Sequence, residues 1–274
     1  MDLRLRDAAV LVTGGSRGIG LVLARAFAAE GARVAICARD AGRLREAVDL
    51  VARQGAECLP LAADLFDPDA CCRVVEDTAA AFGRLDVLVN NASGSVDAMP
   101  RSLEDATDAQ LLDRFMGKTM AALRCSRAAI PHMRRAGGGR IVCIGGTAAR
   151  SVFRHGELPS TGSGLPQGLG NSALANLAKH LSEEVAADGI RVNVVHPHLT
   201  RTDRHPARVA HRASQLGVSE AEAEASIAAQ FPIGRVVEPT DIAPIVLLLA
   251  SSLSDAITGQ AIAVDGGALR GIPY

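Results

Sequence analysis

The sequence predicts a doubly wound α/β domain, a parallel sheet covered by helices on both faces, and three observations carry that expectation. Short apolar runs recur along the chain, such as Val10-Leu11-Val12 and Ile141-Val142-Cys143-Ile144. Strands buried on both faces read as unbroken hydrophobic runs rather than as alternations. Between the runs lie helical segments with apolar residues at three- and four-residue spacing, as at Leu174, Leu177 and Leu181, and regular strand–helix alternation implies a parallel sheet. The first run also ends in a glycine-rich turn that opens a helix. With 274 residues and 48% hydrophobic content, the chain can bury a full core as a single domain spanning 1–274.

Taken in order, the first strand covers 8–12 and runs into Thr13-Gly14-Gly15-Ser16-Arg17-Gly18-Ile19-Gly20, followed by a helix over 21–30. In this strand–turn–helix setting, Gly14, Gly18 and Gly20 let the backbone turn tightly and approach a pyrophosphate. The phosphates then sit on the amides and positive dipole end of the helix, framed by Ser16, Arg17 and Ile19. The second strand, 33–38, ends in Arg39. An acid at this strand end would bond a ribose 2′-hydroxyl, whereas an arginine accommodates a 2′-phosphate. The chain has Cys37-Ala38-Arg39 and no acid until Asp40, so Arg17 and Arg39 can share one dianionic phosphate and NADP(H) is favoured over NAD(H). A helix with Leu44, Val48 and Val51, a strand over 58–62 ending at Asp64-Leu65, a helix over 69–82 and a strand over 85–92 with a polar Asn90-Asn91 end complete the first half.

Composition excludes several partners. A net charge of −1 offers no field for nucleic acid or an anionic membrane. The apolar run over 242–250 contains a proline and is far shorter than the ~20 residues of a membrane span. The first strand begins too early for a secretion signal to precede it, and the six cysteines lack metal-type spacing. A soluble cytoplasmic protein with reduced thiols, no metal and a small-molecule substrate is expected.

The series Thr13 to Gly20, Asn90-Asn91-Ala92-Ser93, Arg191-Val192-Asn193, Pro197, Ile257-Thr258-Gly259-Gln260 and Val264-Asp265-Gly266-Gly267 resembles the short-chain dehydrogenase/reductase family over essentially the whole chain. The resemblance implies a Rossmann fold. It also implies adenine contacts from Asp64 and Leu65, a cofactor-lining role for Asn91 and Ala92, and nicotinamide-side contacts from Thr200 and Thr202. Asn91 would brace the central strand, and Asn90 has an equally good structural reading.

The resemblance fails where the family carries its serine, tyrosine, lysine and asparagine. Aligned on the flanking motifs, Gly146 stands at the serine position with Thr147 beside it as a stand-in, Gln167 at the tyrosine, Asn171 at the lysine and Lys118 at the asparagine. Gln167 and Asn171 keep the i, i+4 spacing of one helical face, but neither side chain titrates. Of 29 basic side chains only Lys118 and Lys179 are lysines, and lysine, unlike arginine, can be desolvated to a usable pKa. One reading has Lys118 reaching into the space of the family's lysine; the other has it snorkelling to solvent.

Relative to the family the chain carries an insertion over 151–165 whose His155 could protonate a substrate oxygen. His198 replaces the glycine after Pro197, and His196 is read as strand-end packing. Residues 203–231, with His205, Arg208 and His211, resemble the helical lid over family substrates, although their charge pattern alone reads as an exposed helix. The single tyrosine, Tyr274, is the last residue given.

Three functions stay open. The first is an NADPH-dependent reductase of a carbonyl or quinone-like substrate, extending to polycyclic aromatic ones, working without the tyrosine acid through Lys118, His155, Gln167 and Asn171. The second is a non-redox lyase, isomerase or cyclase on the same scaffold. The third is a catalytically silent dinucleotide-binding subunit. Small and apolar residues over 120–129 and 172–185 suggest a homodimer or homotetramer.

Overall fold

The structure is a computed structural model and describes residues 2–94, 104–152 and 164–270. Seven strands form one parallel sheet: β1 (Ala9–Thr13), β2 (Arg33–Ala38), β3 (Cys58–Ala62), β4 (Val87–Asn90), β5 (Gly139–Ile144), β6 (Ile190–Pro197) and β7 (Ala261–Val264). Their order in the sheet is β3-β2-β1-β4-β5-β6-β7. The winding reverses between β1 and β4, and a crevice opens outside the carboxyl ends of strands at such a reversal. The predicted doubly wound fold is the observed one.

The apolar runs are buried on both faces, as their lack of alternation predicts. Val10 and Val12 of β1 pack with α1 (Gly18–Ala29), α2 (Ala41–Ala52) and a late helix (Pro239–Ala250) in one layer. Ala9 and Leu11 point the other way, into the layer of α3 (Pro68–Phe82), α5 (Ala121–Arg135) and α6 (Leu165–Val185). Ahead of α5 come α4 (Asp108–Arg114) and a π-helical segment, Phe115–Met120, that carries Lys118. Element ends differ from the sequence expectation by a few residues. Leu85 and Asp86, for instance, precede β4, and Asp86 accepts a hydrogen bond from the Ala9 amide at the amino end of β1.

Residues 203–231 depart from the reading of an exposed helix. They form two helices packed on each other, α7 (His205–Leu216) and α8 (Glu220–Ala228). His205, Val209 and Ala213 bury one stripe of α7, and Ala223 and Ile227 bury one face of α8. The charge count misleads because the buried stripe is built largely of alanine and a histidine. His205 Nε2 lies 2.7 Å from Glu224 Oε2, and Arg201 joins Glu224 to Glu238, pinning the pair to the strand that precedes it. The late helix Pro239–Ala250 is α9. All six cysteines are unpaired thiols, four of them buried, and no described helix is long and apolar enough to cross a membrane.

Candidate active site

The crevice at the winding reversal is a cleft of about 590 Å³. One end is built by the turn after β1. Gly14 and Gly18 have φ of +65° and +55°, the left-handed region that side chains disfavour. A Cβ on Gly20 would lie 2.3 Å from the Gly14 carbonyl oxygen, so the turn closes only over glycine. Arg17, the residue capping α1, supplies no side-chain cap, which leaves the first amides of the helix for a ligand in the cleft.

Asn91 fastens this turn to the end of β4. Its Nδ2 donates to the Thr13 and Gly14 carbonyls, each at 3.0 Å, while the Asn91 and Ala92 amides donate to Thr13 Oγ1 at 2.9 and 3.0 Å. Asn90 is buried and its Nδ2 donates to Ser126 Oγ at 3.0 Å, which is the structural role. Arg39 is exposed at the end of β2 and pairs with no acid among the described residues. Arg17 stands 3.8 Å from Asp203 on the opposite wall. Asp40 is turned away to cap α2, accepting from the Gly42 and Arg43 amides at 2.9 and 3.1 Å. The Arg43 amide above all holds its carboxyl below the usual range. Asp64 and Leu65 form the wall beyond β3, with Asp64 Oδ1 accepting from the Phe66 amide at 3.2 Å.

The other end is made by side chains from four elements. Lys118 donates from Nζ to the Gly145 carbonyl oxygen at 3.3 Å. It is half-buried at the cleft wall rather than extended into bulk solvent. Loss of hydration around its ammonium, reinforced by Arg114, brings its pKa down to about 7. Gln167 and Asn171 come from one face of α6 and line the same cleft. Asn171 is 5% exposed and its Oδ1 has no partner among the described residues. A Cβ on Gly146 would lie 2.7 Å from Asn171 Nδ2, so the glycine and the asparagine fit each other.

Thr147 does not stand in for a cleft serine. It is 2% exposed, and its hydroxyl lies 2.6 Å from His198 Nδ1, withdrawn from the cleft surface. His198 packs edge-on to Phe231 with centroids 5.3 Å apart, and burial lowers its pKa. His196 packs at the strand end as expected, and it also makes a hydrogen bond. It is fully buried, and its Nδ1 accepts from the Gly146 amide at 3.0 Å; the hydrogen bond assigns the proton to Nε2. Burial chiefly pushes its pKa down to about 4, so it stays neutral at physiological pH.

Every residue expected at the dinucleotide lines this cleft: Gly14, Ser16, Arg17, Gly18, Ile19, Gly20, Arg39, Asp64, Leu65, Asn91, Ala92, Thr200 and Thr202. Lys118, Gln167 and Asn171 line it too. His155, Tyr274 and most of the expected insertion over 151–165 lie outside the described residues. Sequence reasoning missed Arg114 and Arg204, which also line the cleft.

The family model described as enoyl-(acyl carrier protein) reductase matches residues 14–268. The chain belongs to the short-chain dehydrogenase/reductase family. Among its relatives within this family, a 3alpha-hydroxysteroid dehydrogenase of Mediterraneibacter gnavus is 33% identical over 98% of this chain and 99% of its own. The short-chain reductase protein NovJ of Streptomyces niveus is 31% identical over 96% of this chain and 94% of its own. In three dimensions the chain is similar to L-sorbose reductase from Gluconobacter frateurii, solved with NADPH and L-sorbose, at a TM-score of 0.90 and 31% identity, covering 99% of this chain and all of that one. Membership of the short-chain dehydrogenase/reductase family makes the protein an oxidoreductase of the nicotinamide-dinucleotide class, and the glycine turn, the Asn91 clamp and the unshielded start of α1 fit such a cofactor.

Proposed function

We propose that the protein is an NADP(H)-dependent reductase of a carbonyl or quinone-like substrate, including polycyclic aromatic ones, that works without a tyrosine proton donor. The observation carrying this is Lys118, whose Nζ sits beside Gly145 in the same cleft as the glycine turn with a pKa of about 7. Bound NADPH would supply hydride. The 2′-phosphate falls to Arg17 and Arg39, the pyrophosphate to Gly14, Ser16, Gly18, Ile19 and Gly20, the adenine to Asp64 and Leu65, and the nicotinamide side to Asn91, Ala92, Thr200 and Thr202.

At neutral pH, Lys118 holds a proton at Nζ part of the time. As an ammonium it stabilises a developing oxyanion, and it can yield that proton to it. Gln167 and Asn171 offer amide donors that orient the oxygen without titrating, and His155 is a second proton donor in this reading. General acid assistance is typically worth about 10²–10⁴-fold. A quinone or extended aromatic ketone tolerates its weakening because the reduced oxyanion is delocalised. Residues 203–231 and the insertion over 151–165 cover the substrate, and the faces over 120–129 and 172–185 join subunits of a cytoplasmic homodimer or homotetramer.

The test is NADPH oxidation by the purified protein against a panel of quinones, polycyclic ketones and simple ketones. Turnover confined to the activated and aromatic acceptors is expected. Demonstrable NADPH binding with no turnover on any acceptor overturns the reductase reading in favour of non-redox chemistry or a silent subunit.

A further inference from the structure

One peptide group joins His196, behind the cleft wall, to Lys118 in the cleft. The unit between Gly145 and Gly146 accepts at its carbonyl from Lys118 Nζ at 3.3 Å and donates from its amide to His196 Nδ1 at 3.0 Å. In a planar trans peptide the N–H and C=O point in opposite directions, so the bond to His196 aims the carbonyl at the lysine. Two successive glycines carry no side chain to hold that orientation, and glycine has the most permissive backbone. The sheet reaches as far as the Gly145 amide, which donates to the Val195 carbonyl at 2.8 Å. The next amide, that of Gly146, is held by the histidine instead. The ring lies against the peptide, since a Cβ on Gly145 would stand 2.4 Å from Nδ1.

Packing alone does not call for a histidine at this strand end. The ring is fully buried, and its Nε2 has no hydrogen-bond partner among the described residues. A buried donor left unpaired costs free energy that an apolar side chain would avoid. The nitrogen in use is Nδ1. It keeps its lone pair at neutral pH, because burial foremost, then Arg150 and Lys118, holds the ring pKa at about 4. The other groups acting on Lys118 are Arg114 and the Cys143 thiol, the thiol pushed up to about 11 by burial. Arginine stays charged throughout, so between about pH 6 and 9 Lys118 alone of this set changes charge. We infer that His196 is a positioning residue: through the Gly145–Gly146 peptide it fixes the carbonyl that holds Lys118 Nζ in the cleft. The inference rests on the reductase reading for the task of Lys118, not for its placement.

The experiment uses the scarcity of lysine. The chain has only Lys118 and Lys179, so protein carrying ¹³C at lysine Cε gives two side-chain signals, which Lys179→Arg assigns. The Lys118 signal is followed from about pH 5 to 10 in the native protein, in His196→Leu and in His196→Asn. An ammonium that loses its carbonyl acceptor gives up its proton more readily. His196→Leu is therefore expected to move the Lys118 midpoint at least about half a pH unit below its native value of about 7. Asparagine Oδ1 stands at the same remove from the backbone as Nδ1 and also accepts, so His196→Asn should restore most of the shift. A native midpoint in His196→Leu overturns the inference. So does an equal displacement in both variants, which would assign the effect to the bulk of the ring. Should neither variant fold, nitrogen NMR of the native histidine rings decides: a proton at Nε2 of His196 supports the inference and one at Nδ1 overturns it. NADPH oxidation by the same proteins separates this inference from the reductase reading. His196→Leu should lower kcat roughly tenfold at neutral pH with the KM for NADPH within about twofold. A displaced midpoint without turnover even by the native protein leaves the positioning role standing and the reductase reading fallen; turnover whose rate and pH profile ignore His196→Leu does the reverse.

Discussion

The two ends of the cleft are built from different materials. At the dinucleotide end, function depends on backbone: glycines that allow close approach, amides at the start of α1, and Asn91 holding two carbonyls. At the other end it depends on side chains from α4, the π-helical segment, α6 and the strand ends, which line the cleft together. A backbone site tolerates little change, because every ligand contact needs the same turn. A side-chain site can exchange its chemistry while the scaffold stays intact.

The comparison breaks most readily at Gly20. Gly20→Ala places a methyl 2.3 Å from the Gly14 carbonyl oxygen, where only backbone movement can relieve it. Dinucleotide binding should weaken by at least ~100-fold, since relieving that clash shifts the turn whose backbone receives the pyrophosphate. Fluorescence titration of NADPH checks this, and an alanine variant with native affinity would show that the turn is not the binding element.

Next in size is Lys118→Met, expected to lower kcat by about 10²-fold, the low end of general acid assistance. Protonated Lys118 is the useful form, so native kcat should fall as pH rises through about 7 and the variant's profile should be flat there. Stability moves the opposite way. The folded pKa of about 7 lies below the ordinary 10.5, so the unfolded state binds more protons between the two values. Native stability therefore rises with pH across that window, and below about 7 the full cost of the buried ammonium is present. Thermal melts from pH 7 to 10 should show a slope that Lys118→Met removes.

A smaller effect tests whether Gly146 and Asn171 form one unit. Gly146→Ala should destabilise the protein by about 1–3 kcal/mol through overpacking, because its Cβ meets Asn171 Nδ2 at 2.7 Å. Asn171→Ala in the same chain should recover much of that loss. A double-mutant cycle with no coupling would mean that the two positions changed independently.

The backbone end was largely legible in the sequence, because a glycine at φ of +65° or +55° announces itself by residue type and spacing. Unbroken apolar runs likewise announced strands buried on both faces. Lys118 stood out since lysine is so scarce in this chain. Arg114 and Arg204 were hidden for the converse reason: arginine is abundant here, and nothing local separates a cleft arginine from a solvated one. His196 packs at its strand end as expected, but its bond to the Gly146 amide and the withdrawal of Thr147 could not be read locally, because they depend on the pairing of β5 with β6. That pairing sets Gly145 opposite the ring of His196, whose Nδ1 a Cβ there would approach to 2.4 Å. The stripe His205, Val209 and Ala213 escaped notice under the charges beside it.

The smallest expected effect sharpens the contrast from the dinucleotide side, where one side chain stands among backbone groups. Arg39 is exposed, pairs with no acid among the described residues and sits where Asp40 has turned away to cap α2. Its contribution is a single charge-assisted contact in water-accessible surroundings, worth far less than the turn itself. Arg39→Gln should therefore raise the KM for NADPH about tenfold and leave that for NADH within about twofold, so that cofactor preference narrows while kcat holds. Steady-state kinetics with both cofactors decides it. An equal change for NADPH and NADH would move the 2′-phosphate away from Arg39 and leave it to Arg17, which already faces Asp203 at 3.8 Å, and to Arg43, which lines the cleft beside Asp40.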